Sequence, residues 1–296
     1  MKKSASYKVF TVFNIIFMCL LCAVMIYPYL NQLAIAFNES ADSAMGGIYL
    51  LPRKFTLQNF STILSNSRVG KAALISVLKT VISTVLALFV TFSAAYALSR
   101  KNLKGRKIIT KLYAATMYLS AGVVPTYILY RYLGLINNFW VYILPCTFSF
   151  YNMVIMRSFI QQLPASLEEA ALIDGANEFT VMLKVIIPLS KPVLATVALW
   201  VAVGQWNEYS IALYYITNRS LYSLQYLMMC ILKQSETLKQ AALDIAMGAS
   251  ETTVQQPTSE SIKAAMMIVT TIPIICLYPF LQKYFVNGVT LGAVKE

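Results

Sequence analysis

Gln205, Trp206, Asn207 and Glu208 stand side by side in a run that is otherwise apolar from Leu189 to Ile216. Their chemistry suits a sugar. An aromatic face covers the C–H side of the ring, while amides and a carboxylate take the hydroxyls. The same side chains would also serve to bond a neighbouring helix, because polar groups within a span face either a cavity or another helix. Tyr127, Tyr130 and Tyr151 add aromatic hydroxyl surface elsewhere, although tyrosine is also the usual residue of the membrane–water belt.

A second stretch, Leu163 to Pro188, carries a different pattern. Ser166 followed by Glu169 has the spacing of a capping box, which predicts a helix starting there with Glu168, Glu169, Ala170 and Ala171 in its first turns. Gly175, just after Asp174, supplies the left-handed residue that ends such a helix. Asn177 is placed to cap a second one, on which Phe179, Met182, Leu183 and Ile186 fall on one face. Pro188 marks the turn back into apolar sequence. A helix of about two turns is unstable alone in water and needs a docking partner. Ala170 and Ala171 give it a small-residue face on which another protein can sit closely.

Other chemistries are missing. The chain has no histidine, the commonest metal ligand and general base. Cys19 and Cys22 have the spacing of half a zinc site, but they lie in an apolar helix with no second pair, and Cys146, Cys230 and Cys276 are scattered. The five cysteines read as small hydrophobes without a disulfide framework. Gly70-Lys71 is followed by Ala72 and lacks the upstream glycine of a phosphate-binding loop. No catalytic constellation with a nucleophile and a base is visible in the spans.

These residues must be held by a membrane protein. Of 296 residues, 58% are hydrophobic and 12% charged, and the mean hydropathy is +0.63. That leaves too little polar surface to cover a fold in water. The prediction is an all-α chain with six spans: Val9 to Phe37, Ala72 to Leu98, Ile108 to Tyr132, Phe139 to Ile160, Leu189 to Ile216 and Ile262 to Phe285. Pro125 and Pro145 are expected to break the third and fourth, and Lys79 to snorkel toward one end of the second. The first run is too long for a signal peptide and is followed by no small-residue cleavage site, so it is read as an uncleaved span behind a short cytoplasmic segment, residues 1–8.

The net charge of +12 could suggest nucleic acid, but the basic residues fall in short loops between apolar runs. Arg100, Lys101, Lys104, Arg106, Lys107 and Lys111 crowd one such loop, which is therefore assigned to the cytoplasm. Both termini and the 163–188 loop follow on that side. Residues 38–71 and 217–261 fall outside. Asn-x-Ser triplets at Asn38, Asn59 and Asn218 are read as chance.

Glu169-Ala170-Ala171, Gly175 and Pro188 resemble the coupling loop of permeases in ATP-binding-cassette importers, with Val185 and Ile187 in place of that pattern's Ile and Leu. Further segments are similar to maltose-type sugar permeases: Pro52 with Phe55 to Phe60, Ala95 to Arg100, Leu133 to Leu135, Trp206 to Glu208, and Tyr278 to Val286. The last, with Gly292 to Lys295, looks like the branch that handles lipo-oligosaccharides and polysaccharide fragments. The resemblance implies a type I importer permease fold. Its 163–188 loop would sit in a groove of an ATPase, with Ser166, Glu168, Glu169, Ala170, Ala171, Asp174, Gly175 and Pro188 carrying the coupling. It further implies two ATPase subunits that hold ATP and Mg, a second permease, an extracellular solute-binding protein and a carbohydrate substrate. No cofactor is expected on this chain. A permease for a non-sugar solute, a membrane-embedded enzyme, and a channel or structural scaffold are the alternatives; the enzyme lacks a catalytic constellation in the spans, and a channel or scaffold leaves the docking loop unexplained.

Overall fold

The computed structural model describes residues 5–119, 121–234 and 260–293. Its principal helices are α1 (Ala5–Ala36), α2 (Ser67–Ser99), α3 (Arg106–Thr116), α4 (Val123–Tyr132), α5 (Phe150–Ile160), α6 (Ala165–Ile173), α7 (Glu178–Val181), α8 (Lys191–Asn207), α9 (Ser210–Tyr215) and α10 (Glu260–Ala293). Among the described residues, strand pairing is confined to one isolated bridge between Asn38 and Phe55. The fold is all-α, as expected.

Not every expected span is one helix. Tyr7–Ala36, Ser67–Ser99 and Glu260–Leu277 are each long and apolar enough to cross a membrane. Two more candidates are bent pairs: Phe139–Cys146 with Phe150–Ile160, at 45°, and Glu178–Leu189 with Lys191–Asn207, at 82°. That makes up to five among the described residues. The expected third span is divided instead into α3 and α4, of 11 and 10 residues, each too short to cross alone. The break lies between Thr116 and Val123, ending at Gly122 with φ +78°, and not at Pro125. Pro125 lies in the first turn of α4, where a missing N–H leaves no helical bond unmade. Pro145 does interrupt the fourth, sitting in a 3₁₀ turn, Leu144–Cys146.

The chain divides into two compact units, residues 1–70 with 228–272, and residues 71–227 with 273–296. In the first, none of the most apolar window of α1 is buried. Phe10, Phe13, Ile16 and Leu20 are all more than half exposed. A helix apolar all round calls for lipid or another apolar surface. The loop after α1 is tied by amides. Asn38 donates to Asp42 Oδ2 at 2.9 Å and to Ser43 Oγ at 3.0 Å, and Asn59 donates to the carbonyls of Ala36 and Asn38. Both asparagines are buried, whereas Asn218 is exposed. Of the expected outer segment 217–261, residues 235–259 lie outside the described residues, as do the side chains of most of the Tyr278 to Lys295 motif.

In the second unit, α2, α5 and α8 enclose a core that includes Phe92, Ala95, Met153, Met156, Val193 and Val197. A second cluster joins Leu135, Val141, Tyr142 and Ile143 to Ala212, Tyr215 and Ile216. One core backs the 163–188 loop; the other backs the polar stretch around Glu208.

Candidate functional site

The loop from Leu163 to Pro188 is built from local signals, with one substitution in the expected chemistry. α6 begins at Ala165, and its N-cap is Pro164 with extended backbone (φ −61°, ψ 126°). The predicted capping box does not form: Ser166 lies inside the first turn and no side chain caps the helix. Proline fixes φ near the value it has there, and the helix starts two residues earlier than a cap at Ser166 would set, with Glu168 favouring its positive end. The C-terminus follows expectation. Gly175 has φ +83°, its N–H reaches the Leu172 carbonyl, and the Ala176 N–H reaches back to Ala171, both at 3.0 Å. This pair of bonds is the Schellman arrangement. Asn177 then caps α7 by accepting from the Thr180 N–H at 2.8 Å.

Beyond α7 the expected face is re-phased. Met182–Ile186 form a π-helical turn, so Val181, Met182 and Ile186 are buried, whereas Phe179 and Leu183 are exposed. The wider turn carries Leu183 off the face on which Met182 and Ile186 stay buried, while Phe179 is exposed upstream of it in α7. Pro188 sits in the short helix Ile187–Leu189, and the change of direction comes two residues later at buried Ser190. Ala171 packs against the core, while Ala170, Glu169 and Asp174 are exposed beside Leu167, Leu172 and Ile173. The outward face of α6 is thus more apolar and bulkier than the expected alanine patch.

What holds the loop is a residue whose role the sequence reading missed. Arg100, directly after α2, pairs through Nη1 with Glu168 and through Nη2 with Glu178 at 2.8 Å. Nη2 also donates to the Tyr96 hydroxyl, the guanidinium lies 4.3 Å from the Tyr96 ring centroid, and the Tyr96 hydroxyl donates to Glu178 Oε2 at 2.8 Å. Burial works to lower the Arg100 pKa, but the Glu168 carboxylate and Tyr96 outweigh it and hold it above its ordinary value. The end of a membrane helix is therefore locked to both helices of the loop by one fork. The Ala95 to Arg100 segment, together with two carboxylates flanking Gly175, was the available signal.

At the other polar stretch the helix is interrupted. α8 ends at Asn207, Glu208 is extended (ψ 120°), and α9 starts at Ser210, so the cluster lies at a helix end and not in the middle of an unbroken span. Both Glu208 carboxylate oxygens accept from the Ile211 N–H, at 3.0 and 3.1 Å, capping α9. Lys79 does not snorkel. It is fully buried, donates to the Glu208 carbonyl at 2.6 Å, and lies 4.9 Å from the Tyr142 ring centroid. The carbonyl end of α8 attracts a cation as the negative pole of the helix, which explains why the charge turned inward. Gln205 and Trp206 are buried, and Trp206 helps line an apolar cavity of about 230 Å³ with Val77, Val81, Ala202 and Leu277. Asn207 alone of the four is exposed, accepting from Gln225 at 3.2 Å. Tyr127 stacks on Tyr215, with Tyr130 edge-on to the same ring. Tyr151 belongs elsewhere, 6.2 Å from Trp200.

Gly175→Val should strain a left-handed turn by roughly 1–2 kcal/mol per residue. A Cβ there meets nothing within 4 Å, so the cost is conformational. Uptake of substrate should fall while membrane insertion persists, and Gly175→Asn should retain more activity than valine. Equal uptake by valine and wild type would count against a role for this turn.

Residues 87–291 match the family model of the binding-protein-dependent transport system inner membrane component. The chain is 37% identical over 289 residues to protein LplC of Bacillus subtilis (strain 168), covering 97% of this chain and 95% of that protein. It is 34% identical to the polygalacturonan/rhamnogalacturonan transport system permease protein YtcP of the same organism, over 94% of this chain and 96% of that one. A chain from the crystal structure of a bacterial ABC transporter involved in the import of the acidic polysaccharide alginate aligns with a TM-score of 0.84. Its identity is 27%, over 96% of this chain and 99% of that chain.

Proposed function

Because the chain belongs to the family of binding-protein-dependent transport system inner membrane components, we propose that it is the membrane-spanning subunit of an ATP-driven importer for an oligosaccharide or polysaccharide fragment. It is a transport subunit and not a catalyst. The observation that carries the reading is the 163–188 loop. A short capped helix with exposed Leu167, Leu172 and Ile173 is clamped to the end of a membrane helix by Arg100, as a part must be that passes motion from another protein to the spans. The relatives support the substrate class, since one is a polygalacturonan/rhamnogalacturonan permease and a neighbour imports alginate.

In this reading two ATPase subunits hold ATP and Mg and seat the α6 face. A second permease completes the pore, and an extracellular binding protein delivers the sugar. The basic loop from Arg100 to Lys111 and both termini lie in the bacterial cytoplasm, following the distribution of Lys and Arg.

Reconstituting the chain with a partner permease, the ATPase and the binding protein should give sugar-stimulated ATP hydrolysis and uptake. The purified chain alone should hydrolyse no ATP. Hydrolysis by the chain alone, or uptake of no saccharide by the assembly, would refute the proposal.

Within the polar stretch the geometry favours a division of labour. Asn207 and Tyr127 suit the sugar path because they keep exposed polar surface, whereas Gln205, Trp206 and Glu208 suit packing and capping. Asn207→Ala should lower uptake per assembled complex. Trp206→Ala should lower complex yield, by about 3 kcal/mol of stability for a buried aromatic. Unchanged yield with lost uptake for Trp206→Ala would return that ring to the path.

A further inference from the structure

The connection from α2 to α3 and the first turns of α3, with one residue of α5, form a cavity that neither coupling nor the sugar path uses. Lys101, Arg106, Lys107, Lys111 and Arg157 line a space of about 790 Å³. Its lining includes no Asp or Glu, and none of these five cations makes an ion pair among the described residues. Arg157 reaches only a neutral partner, Thr110 Oγ1, at 3.4 Å.

The helix that opens at this cavity makes the imbalance worse. α3 starts after Gly105, with φ +79°, no side-chain cap and no acidic residue in its first turn. Arg106 and Lys107 instead occupy that turn, at the end where the helix dipole favours negative charge. Like charges that line one space repel, and an anion between them relieves the repulsion. Fixing the orientation of a membrane protein calls for basic loops, but it does not require five cations around one space.

The remaining walls point to the kind of anion. Leu103 and Ile108 line the same cavity. Along α3, Ile108, Leu112 and Tyr113 are exposed, at 66%, 65% and 42%. The cavity follows directly on α2, whose apolar run ends at Ser99. A ligand with a charged head and an apolar body, lying at the level where a spanning helix leaves the bilayer, matches all three facts. We propose that this cavity binds the phosphate of an anionic glycerophospholipid, whose acyl chains lie along the apolar side of α3. A basic pocket beside spanning helices is a known form of headgroup recognition. The proposal rests on the chain spanning a membrane, and it holds whichever solute is carried.

The test uses the full-length chain in nanodiscs of equal parts phosphatidylcholine and phosphatidylglycerol, with retained lipid read by native mass spectrometry. Wild type should keep phosphatidylglycerol over phosphatidylcholine by about tenfold or more. The triple variant Arg106→Gln, Lys107→Gln, Lys111→Gln should lose that preference. Lys2→Gln, Lys3→Gln, Lys8→Gln, which removes the same charge elsewhere, should keep it. If the first triple variant does not fold, Lys107→Gln and Lys111→Gln singly should each give a partial loss. Equal preference in the cavity variants and wild type overturns the site, and so does equal loss in the control. Displacement of the lipid by millimolar inorganic phosphate would make this a soluble-anion site and overturn the lipid assignment. Headgroup preference is read without transport, so its failure would leave the importer reading standing, and the converse also holds.

Discussion

Arg100→Ala should lower substrate uptake by up to about thirtyfold while the protein still inserts and assembles. The guanidinium is the shared partner of Glu168 and Glu178, and its side chain is only 25% exposed. Removing it leaves two carboxylates and the Tyr96 hydroxyl facing one another with no cation between them. Breaking a fully buried pair costs about 3–5 kcal/mol, and partial solvation reduces that to about 2 kcal/mol here. Such a change shifts the ratio of seated to unseated loop by about thirtyfold, which is the upper limit of the loss in uptake. Binding-protein-stimulated ATP hydrolysis should fall with uptake, because the loop joins the two events. Arg100→Lys should recover only part of the loss, since an ammonium keeps the charge but not the planar fork. Uptake and hydrolysis assays on matched amounts of complex decide the matter. Wild-type coupling in the alanine variant would show that the loop is seated by packing alone.

Lys79→Ala should act on stability first. The substitution empties a fully buried site and leaves the carbonyl at the end of α8 without its donor. Together the cavity and the orphaned acceptor should cost roughly 2–4 kcal/mol, read as a lower thermal denaturation temperature of the solubilised protein. Lys79→Met should recover more than half of that. Methionine refills the volume of the stem that alanine leaves empty, while the buried charge and its desolvation cost are absent from both variants. A normal denaturation temperature for the alanine variant would show that the Lys79 contact to Glu208 is dispensable. Full stability with lost uptake in the methionine variant would instead make the charge part of the transport path.

The comparison of expectation with structure divides along sequence distance. The end of α6 was legible because Gly175 and Asn177 act on backbone groups within five residues, and both do as expected. The apolar runs were legible because lipid imposes one length on all of them, and three helices have that length unaided. Even nearby signals failed where a neighbour overrode them. Pro164 pre-empted Ser166 as the cap, and the π turn at Met182–Ile186 took Leu183 off the face that keeps Met182 and Ile186 buried.

By itself the sequence determined that the chain is an all-α membrane protein with a short helix, ended at Gly175, in its 163–188 loop. Composition, run length and turn residues need no partner far along the chain to take effect. Only the tertiary structure decided which side chains hold the loop and which line a path. Arg100 meets Glu168 across 68 residues, and Lys79 meets Glu208 across 129. No periodicity records such pairs: a cation inside an apolar run looks the same whether it snorkels or turns inward. What turns Lys79 inward is the helix break at Glu208. That break presents a carbonyl only where α2 and the end of α8 have already come together.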